Sequence, residues 1–262
     1  MLRQIMEIAQ QAGELIRTAA DITPEEKTGF RDLVTQYDRQ VQALLQNSLR
    51  AVLPQAAFLG EEGTFRPDGD ALWEFIVDPI DGTTNFVQGF PNCCVSIGLL
   101  HRGQMELGVI YNPFTRELYS ARRGQGAYRN GRRLQLADRD LQHSLCMFGS
   151  SPYYPELTEL SLSLFGEIYA HAQDVLRFGS AALDFCYVAD GRAGVFYECR
   201  LCPWDIAAGS LIAQEAGAVV STLTGQGLPF DRKCSVAVGA PTAWAQMCSR
   251  FAPHIKGWEE ML

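Results

Sequence analysis

The feature that most constrains this chain is a pair of aspartates, Asp78 and Asp81, that directly follows a short apolar run. The run Trp73–Val77 is rich in β-forming residues and predicts a buried strand, so the acids are expected where that strand ends and a turn begins. Pro79 fixes one backbone angle, and Gly82 allows the chain to bend closely after the second acid. The pattern therefore predicts two carboxylates held close together beside a buried strand.

Two carboxylates this close repel each other unless a positive charge lies between them. Residues 67–100 contain no lysine or arginine, which leaves a divalent cation as the natural partner. Hard oxygen ligands favour Mg²⁺, with Mn²⁺ and Ca²⁺ as related ions. The alternative is that an Asp-Pro turn precedes an Asp-Gly turn, because both dipeptides are common in loops. The stretch by itself leaves the two interpretations open.

Composition and charge narrow the class of protein. A chain of 262 residues is long enough for a large core, in one domain or in two closely packed ones. Its net charge of −8 argues against a general nucleic-acid binder. No segment approaches the ~18 uninterrupted apolar residues of a membrane span. The first twenty residues carry Glu7 and Glu14 within a helical repeat, so no secretory signal is predicted and a cytoplasmic location is expected.

The eight cysteines are predicted to be reduced thiols, because no secretory signal accompanies them. Cys199 and Cys202 have CxxC spacing, but neither a second such pair nor a nearby histidine pair completes a zinc site. A structural role is therefore favoured for both, and redox control through them is the alternative.

In the first half of the chain, apolar periodicity predicts a helix from Ile5 to Ala19 and a second helix from Val34 to Val52. A polar loop is expected from Asp21 to Phe30, and a Gly/Pro/Asp-rich loop reaches Asp70. Residues 94–135 predict short antiparallel strands that form a meander and include a hairpin turn at Asn-Gly.

In the second half, helices are predicted near residues 155–170, 180–189 and 203–216, alternating with strands. Mixed sheets stacked with helices predict an α+β or layered α/β fold. We expect an N-terminal half at residues 1–140, which carries most of the acidic landmarks and the meander, and a C-terminal α/β half at residues 141–262.

Further acidic landmarks follow other turns, although each has an ordinary explanation as a loop charge or as a partner of a helix dipole. Together they resemble the inositol monophosphatase family, whose members are Mg²⁺-dependent, lithium-sensitive phosphatases. The matching stretches span nearly the whole chain and are Asp32–Thr35 with Asp38, Gly60–Glu62, Trp73–Phe86, Gly179–Ala182 and Trp204–Gly209. The resemblance implies an αβαβα sandwich of the sugar-phosphatase type, a homodimer and phosphoric monoester hydrolysis.

The resemblance also implies the metal ligands. The first Mg²⁺ is expected at Glu61, Asp78 and the carbonyl of Ile80. The second is expected at Asp78, Asp81 and Asp205. A third, weaker ion is expected near Glu61, and Mn²⁺ is expected to substitute for Mg²⁺.

Catalytic and substrate-binding roles follow from the same resemblance. Glu61 and Thr83 are expected to orient and deprotonate the attacking water, with Asp81 beside them as a catalytic residue. Lys27 lies about where the family has a lysine on a mobile loop. The expected phosphate and substrate contacts are Gly82, Thr83, Thr84, Gly179, Ser180, Ala181, Glu198 and Asp205.

The sequence after Thr83, Thr84-Asn85-Phe86, resembles the inositol and sugar branch, and Glu198 matches a glutamate that faces substrate hydroxyls there. Inositol monophosphate or a related sugar or polyol phosphate is therefore the expected substrate, with no nucleic-acid or membrane partner. The alternatives are a fructose-1,6-bisphosphatase, a 3′-phosphoadenosine 5′-phosphate phosphatase and a histidinol phosphatase. A different class, a catalytically silent regulatory protein that still binds metal, also stays open. Residues 149–171 carry no family signature and leave bisphosphate activity undecided.

Overall fold

Helices and strands follow the apolar patterns of the sequence in this computed structural model, which describes residues 1–65 and 71–262. The helices are α1 (Leu2–Arg17), α2 (Gln36–Val52), α3 (Thr83–Val87), α4 (Thr158–Tyr169), α5 (Ala181–Ala189), α6 (Pro203–Ala216) and α7 (Pro241–Ile255). The strands are β1 (Pro24–Gly29), β2 (Asp32–Thr35), β3 (Ala57–Gly60), β4 (Gly63–Phe65), β5 (Trp73–Asp81), β6 (Cys94–His101), β7 (Gln104–Asn112), β8 (Glu117–Arg122), β9 (Gly126–Arg129), β10 (Arg132–Arg133), β11 (Leu145–Phe148), β12 (Asp174–Leu176), β13 (Val195–Leu201), β14 (Val219–Ser221) and β15 (Cys234–Gly239).

The first large sheet has eight strands in the order β10-β9-β8-β7-β6-β5-β3-β4. Neighbours from β5 to β10 pair antiparallel, which confirms the predicted meander, whereas β3 and β5 pair parallel. Asn130 and Gly131 both have positive φ, at 48° and 79°. This is the backbone conformation that an Asn-Gly hairpin turn requires, so the predicted hairpin is also confirmed.

The second sheet has five strands in the order β12-β11-β13-β15-β14. Strand β11 is parallel to both of its neighbours, and β15 is antiparallel to both of its own. The segment after residue 140, where the predicted C-terminal half begins, leads into the first of these strands. The division into halves stays a prediction, because one apolar core joins residues from both sides of that boundary.

Helices and sheets stack in five layers. Helices α1 and α2 cover one face of the eight-stranded sheet, and α5 and α6 fill the space between the two sheets. Helices α4 and α7 cover the outer face of the five-stranded sheet. Every residue of α5 is buried, and all of them but Asp184 and Tyr187 are wholly apolar or cysteine, as expected for a helix at the centre of the molecule. The predicted αβαβα sandwich is confirmed.

The prediction of a loop at residues 21–30 is wrong, because Pro24–Gly29 forms a strand that pairs with β2 in a small hairpin. All but the last residue of β1 are exposed, so the strand lacks the apolar alternation that identifies a half-buried strand in a sequence. The second helix begins at Gln36 rather than at residue 34, because Thr35 caps it. The predicted loop that reaches Asp70 is wrong at its start, because Gly63–Phe65 forms β4 and pairs with β3; its remainder, residues 66–70, lies outside the described part of the chain.

No helix in the described residues is both long enough and apolar enough to cross a membrane.

Candidate active site

Strand β5 carries Asp78 and Asp81 on its last residues, and it is longer than the sequence predicts. The strand does not end at Val77, because its pairing with β6 continues to Asp81. A register shift lies between the two acids, so that β5 has one more residue than β6 over this stretch. A bulge of this kind re-aims side chains, and here a bulge in the strand replaces the predicted turn.

Asp78, Asp81 and Asp205 form an acidic cluster, which we call the carboxylate centre. Each offers one oxygen, and these three oxygens lie within 4.8 Å of one another. Burial raises the pKa of Asp81 to about 6. Burial and then the neighbouring carboxylates raise the pKa of Asp78 and Asp205 well above the ordinary value.

The carboxylate centre fits a hard divalent cation. Among the ion pairs of the described residues, none joins any of its three members to a basic side chain. An all-oxygen, all-acidic donor set is the kind that Mg²⁺ or Ca²⁺ prefers. Two buried acids and one partly buried acid repel one another when no cation is present, so a bound positive charge stabilises their ionised forms.

Each acid of the carboxylate centre is held through a single oxygen. Asp81 accepts from the Ser180 hydroxyl at 2.7 Å and from the Ala182 amide at 2.6 Å, both at the start of α5. Asp78 accepts from the amide two residues on at 3.0 Å, and Asp205 accepts from the Cys202 amide at 2.6 Å as part of a capping box on α6. The chain thus orients each carboxylate and leaves its other oxygen for a ligand.

Glu61 lies just past β3 and forms an ion pair rather than joining the carboxylate centre. The Lys27 amine donates to Glu61 at 2.8 Å and also to Glu62. Burial raises the pKa of Glu61 to about 7, although the lysine opposes this rise. The structure therefore places the predicted lysine of the β1–β2 hairpin beside the predicted catalytic glutamate.

The Thr83 hydroxyl lies between two acceptors, the carbonyl of Ile80 at 3.0 Å and a carboxylate oxygen of Asp38 at 3.1 Å. The other oxygen of Asp38 accepts from the amide and hydroxyl of Thr35, in the capping box of α2. Asp38 is therefore a site residue; the family resemblance includes it, but no role was predicted for it. Its spacing of three from Thr35, typical of a capping box, was the available signal.

The starts of α3 and α5 meet at two glycines. A Cβ on Gly82 would lie 2.9 Å from the Asn92 carbonyl and 3.2 Å from the Gly179 carbonyl. Asn85 also ties the two segments, because its amide donates to the Phe178 carbonyl at 2.6 Å. The predicted phosphate contacts on α3 and those before α5 are therefore brought together.

Glu198 is buried on β13, and a loop without a family signature holds it. The amide of Ser151 donates to Glu198 at 2.8 Å, and burial raises the pKa of the glutamate to about 7. A Cβ on Gly149 would lie only 1.8 Å from the carboxylate. Tyr153 follows in the same loop, and after burial the charges of Asp205 and Glu61 contribute most to raising its pKa. Residues 149–154 therefore form one wall of the site.

All eight cysteines are free thiols. Burial raises the pKa of Cys199 to about 11 and that of Cys202 to about 12. Such thiols stay protonated near neutral pH and are poor nucleophiles. Within the described residues the carboxylate centre is the one group of potential metal ligands, so the CxxC pair supports the structural role.

Comparison with known proteins points to one family. The model of the inositol monophosphatase family matches residues 1–255. The Nus factor SuhB of Vibrio cholerae is 34% identical over 245 residues, covering 92% of this chain and 91% of that protein. The Thermotoga maritima inositol monophosphatase has a TM-score of 0.87 at 29% identity, with 96% of both chains covered.

A third relative is the type II inositol monophosphatase of Staphylococcus aureus, in a structure with bound inositol monophosphate. It has a TM-score of 0.82 at 29% identity and covers 98% of this chain and 95% of that chain. These likenesses define a protein with the layered sugar-phosphatase fold. The chain belongs to the inositol monophosphatase family.

Proposed function

We propose that this protein is a Mg²⁺-dependent phosphomonoesterase that hydrolyses inositol monophosphate or a related sugar or polyol phosphate. The observation that carries the proposal is the convergence of Asp78, Asp81 and Asp205 on one point from two distant parts of the chain. Membership of the family supports the chemistry. The staphylococcal relative with bound inositol monophosphate supports the substrate class.

Two Mg²⁺ ions would be held by this chain, with a third, weaker one near Glu61 and with Mn²⁺ as a substitute. Glu61, Asp78 and the Ile80 carbonyl would hold the first, and Asp78, Asp81 and Asp205 the second. When bound, Mg²⁺ supplies positive charge that neutralises the phosphate, lowers the pKa of the attacking water and stabilises the leaving alkoxide.

The side chains around these ligands position the water and accept its proton. Glu61, with a pKa of about 7, is suited to act as a general base near neutral pH. The Thr83 hydroxyl, fixed by Asp38, orients the water beside it. Asp81 is the third catalytic residue of the proposal. Its carboxylate is oriented by the Ser180 hydroxyl at the start of α5.

Substrate binding would use backbone and side-chain groups on both sides of the carboxylate centre. Amides at the starts of α3 and α5 would donate to phosphate oxygens, and Glu198 would accept hydrogen bonds from polyol hydroxyls. The residues proposed for these contacts are Gly82, Thr83, Thr84, Gly179, Ser180, Ala181, Glu198 and Asp205.

The proposal is tested by replacing the aspartate that belongs to both ion sites. Asp78→Asn removes the negative charge and replaces one ligand oxygen with an amide nitrogen, so we expect kcat for inositol monophosphate to fall by at least about 100-fold. Asp231→Asn, an exposed substitution of the same kind, is the matched control and should leave kcat within about twofold. Excess chelator should abolish hydrolysis, and Mg²⁺ should restore it. Normal turnover by Asp78→Asn, or in excess chelator, would refute the mechanism.

Lithium inhibition, a homodimer and a cytoplasmic location are further parts of the proposal that rest on the family resemblance. Li⁺ is expected to inhibit by occupying the second ion site beside Asp81 and Asp205. Steady-state assays with increasing LiCl, against the same concentrations of KCl, measure this effect. Equal rates in the two salts would place the protein among less typical members of the family.

A catalytically silent regulatory role is the second candidate, because relatives such as the SuhB proteins carry the name Nus factor. The expectation that no nucleic acid is bound therefore stays a prediction. The intact carboxylate centre favours turnover, and the Asp78→Asn measurement separates the two candidates, since a silent protein has no activity to lose.

A further inference from the structure

A polar cavity lies beside the end of β13. Its volume is about 590 Å³, and basic side chains of Arg200, Arg232 and Lys233 line one part of it. Hydroxyl groups from Thr222 and Thr224 line another part. A chain with a net charge of −8 therefore gathers three cations at one concave surface.

Two of these cations share a single aromatic ring. The guanidinium carbon of Arg200 and the Lys233 amine each lie 5.0 Å from the ring centre of Tyr154. Cation–π attraction stabilises each contact, but the two positive charges repel each other. The tyrosine hydroxyl raises the pKa of Lys233, and the nearby charge of Arg200 opposes that rise.

Within the described part of the chain, neither member of this pair has a carboxylate within ion-pair distance. Arg232 pairs with Asp231, but the ion pairs of the described residues include none to Arg200 or Lys233. Glu259 and Glu260 line the same cavity without coming within ion-pair distance of either cation. Two like charges that are held together and left without an acidic partner are suited to an anion that contacts both.

We infer that Arg200, Lys233 and the Tyr154 ring form a binding site for a phosphate group, separate from the carboxylate centre. Arg200 offers a fork of donors that matches phosphate oxygens, and Lys233 adds a compact positive charge. The site lies next to the loop that holds Glu198, because Ser151 of that loop donates to Glu198 while the ring of Tyr154 lies against the two cations. The phosphate could be a second phosphate of the substrate or a free anion.

The binding site is tested with inorganic phosphate in excess EDTA, so that no divalent cation can hold phosphate at the carboxylate centre. Isothermal titration of the wild-type protein should show one saturable site per chain. The double variant Arg200→Met/Lys233→Met should lose at least about tenfold in affinity. The matched control, Arg3→Met/Arg17→Met, removes two exposed cations of α1 and should bind phosphate like the wild type.

A folding defect is separated from a binding defect by Lys233→Arg, which keeps both charges and the donor fork of Arg200 and should bind within about threefold of the wild type. Thermal unfolding without phosphate checks that each variant is folded. A wild-type protein without saturable binding, or a folded charge-removing variant that binds equally well, would overturn the inference. No turnover is measured, so failure of the proposed phosphatase activity would leave this result standing.

The source of the phosphate is decided with Mg²⁺ and two substrates, a sugar monophosphate and the corresponding bisphosphate. If a second substrate phosphate occupies the cavity, the charge-removing variant raises KM for the bisphosphate at least about tenfold more than KM for the monophosphate. If a free anion occupies it, the variant changes both KM values by the same factor. Each result assigns the site to one of the two sources.

Discussion

At the scale of single residues, the position of Glu198 depends on a neighbour that has no side chain. Gly149 packs so closely that an added Cβ would lie 1.8 Å from one carboxylate oxygen of Glu198. On the other side, the Ser151 amide donates to the second oxygen at 2.8 Å. Ser151 has a positive φ of 44°, which few residues other than glycine adopt. The loop therefore holds a strained backbone in order to aim one amide at the glutamate.

The substitution Gly149→Ala is expected to displace the Glu198 carboxylate while leaving the carboxylate centre in place. If Glu198 recognises polyol hydroxyls, KM for inositol monophosphate should rise by roughly tenfold, with a much smaller change in kcat. An aryl phosphate, which offers no hydroxyls, should be hydrolysed with nearly the same KM. Steady-state kinetics on both esters measure the difference.

The control for this prediction is Gly166→Ala on α4, where an added Cβ meets no atom within 4 Å. That variant should match the wild type on both substrates and be slightly more stable, because alanine favours a helix. Equal losses on both esters in Gly149→Ala would instead show that Glu198 is a structural residue.

The sequence allowed the acids of the site to be predicted, because short motifs carry them. The contacts that orient those acids were not predicted, since they come from distant parts of the chain, and Ser180 was expected only as a substrate contact. Ser180 donates to Asp81, and Ser151 donates to Glu198, across separations of 99 and 47 residues. No local pattern marks a serine for such a contact.

At the scale of elements, helix α6 carries Asp205 into the site and lies against glycines of the eight-stranded sheet. A Cβ on Gly108 of β7 would lie 2.6 Å from the Ala208 carbonyl. A Cβ on Gly98 of β6 would lie 2.9 Å from the Ala207 side chain. The absence of side chains on these strands lets the helix backbone approach the sheet.

Gly108→Ala is expected to push α6 away from the sheet, because the nearest atoms belong to the helix backbone and cannot rotate aside. Overpacking of this kind costs about 1–3 kcal/mol in the free energy of unfolding. The shift should also weaken Mg²⁺ binding, since Asp205 moves with the helix. Urea unfolding and Mg²⁺ titration of activity measure the two effects.

A suitable comparison is Gly227→Ala, where an added Cβ meets nothing within 4 Å. That variant should keep the wild-type stability and the wild-type Mg²⁺ requirement. If Gly108→Ala were as stable as this control, the contact between helix and sheet would be more adaptable than its distances indicate.

The elements with clear apolar periodicity could be predicted from the sequence, including the meander and α6 with its Pro203 start and Gly217 end. The hairpin of β1 and β2 could not, because its first strand is polar and exposed. Its pairing depends instead on tertiary contacts such as the ion pair of Lys27 with Glu61. The bulge in β5 was also missed, since an Asp-Pro dipeptide usually signals a turn.

At the scale of the whole molecule, burial of acids without a cation makes stability depend on pH. The pKa values of Glu61 and Asp81 are raised to about 7 and about 6, so the folded protein binds these protons more tightly than the unfolded chain. Their contribution to stability is therefore present at low pH and is lost as the pH rises through the raised pKa values.

We expect the melting temperature in EDTA to fall between pH 5 and pH 8, and Mg²⁺ to reverse most of that fall. The cation competes with protons for the same oxygens, so its stabilising effect should grow with pH and reach at least about 5 °C at pH 8. Calorimetry at several pH values, with EDTA or with Mg²⁺, measures this effect. Asp81→Asn should narrow the difference between the two curves, and a difference that is constant with pH would contradict the prediction.

The carboxylate centre draws Asp78 and Asp81 from β5 and Asp205 from α6, which are distant along the chain and belong to opposite sides of the core. Bound Mg²⁺ would therefore fasten the two sides together much as a removable cross-link does. The ligands meet only after both sheets have packed against the central helices, so the transition state for folding should lack the ion site. Mg²⁺ should then slow unfolding and leave the refolding rate nearly unchanged. The lifetime of the folded state would therefore increase with the concentration of Mg²⁺.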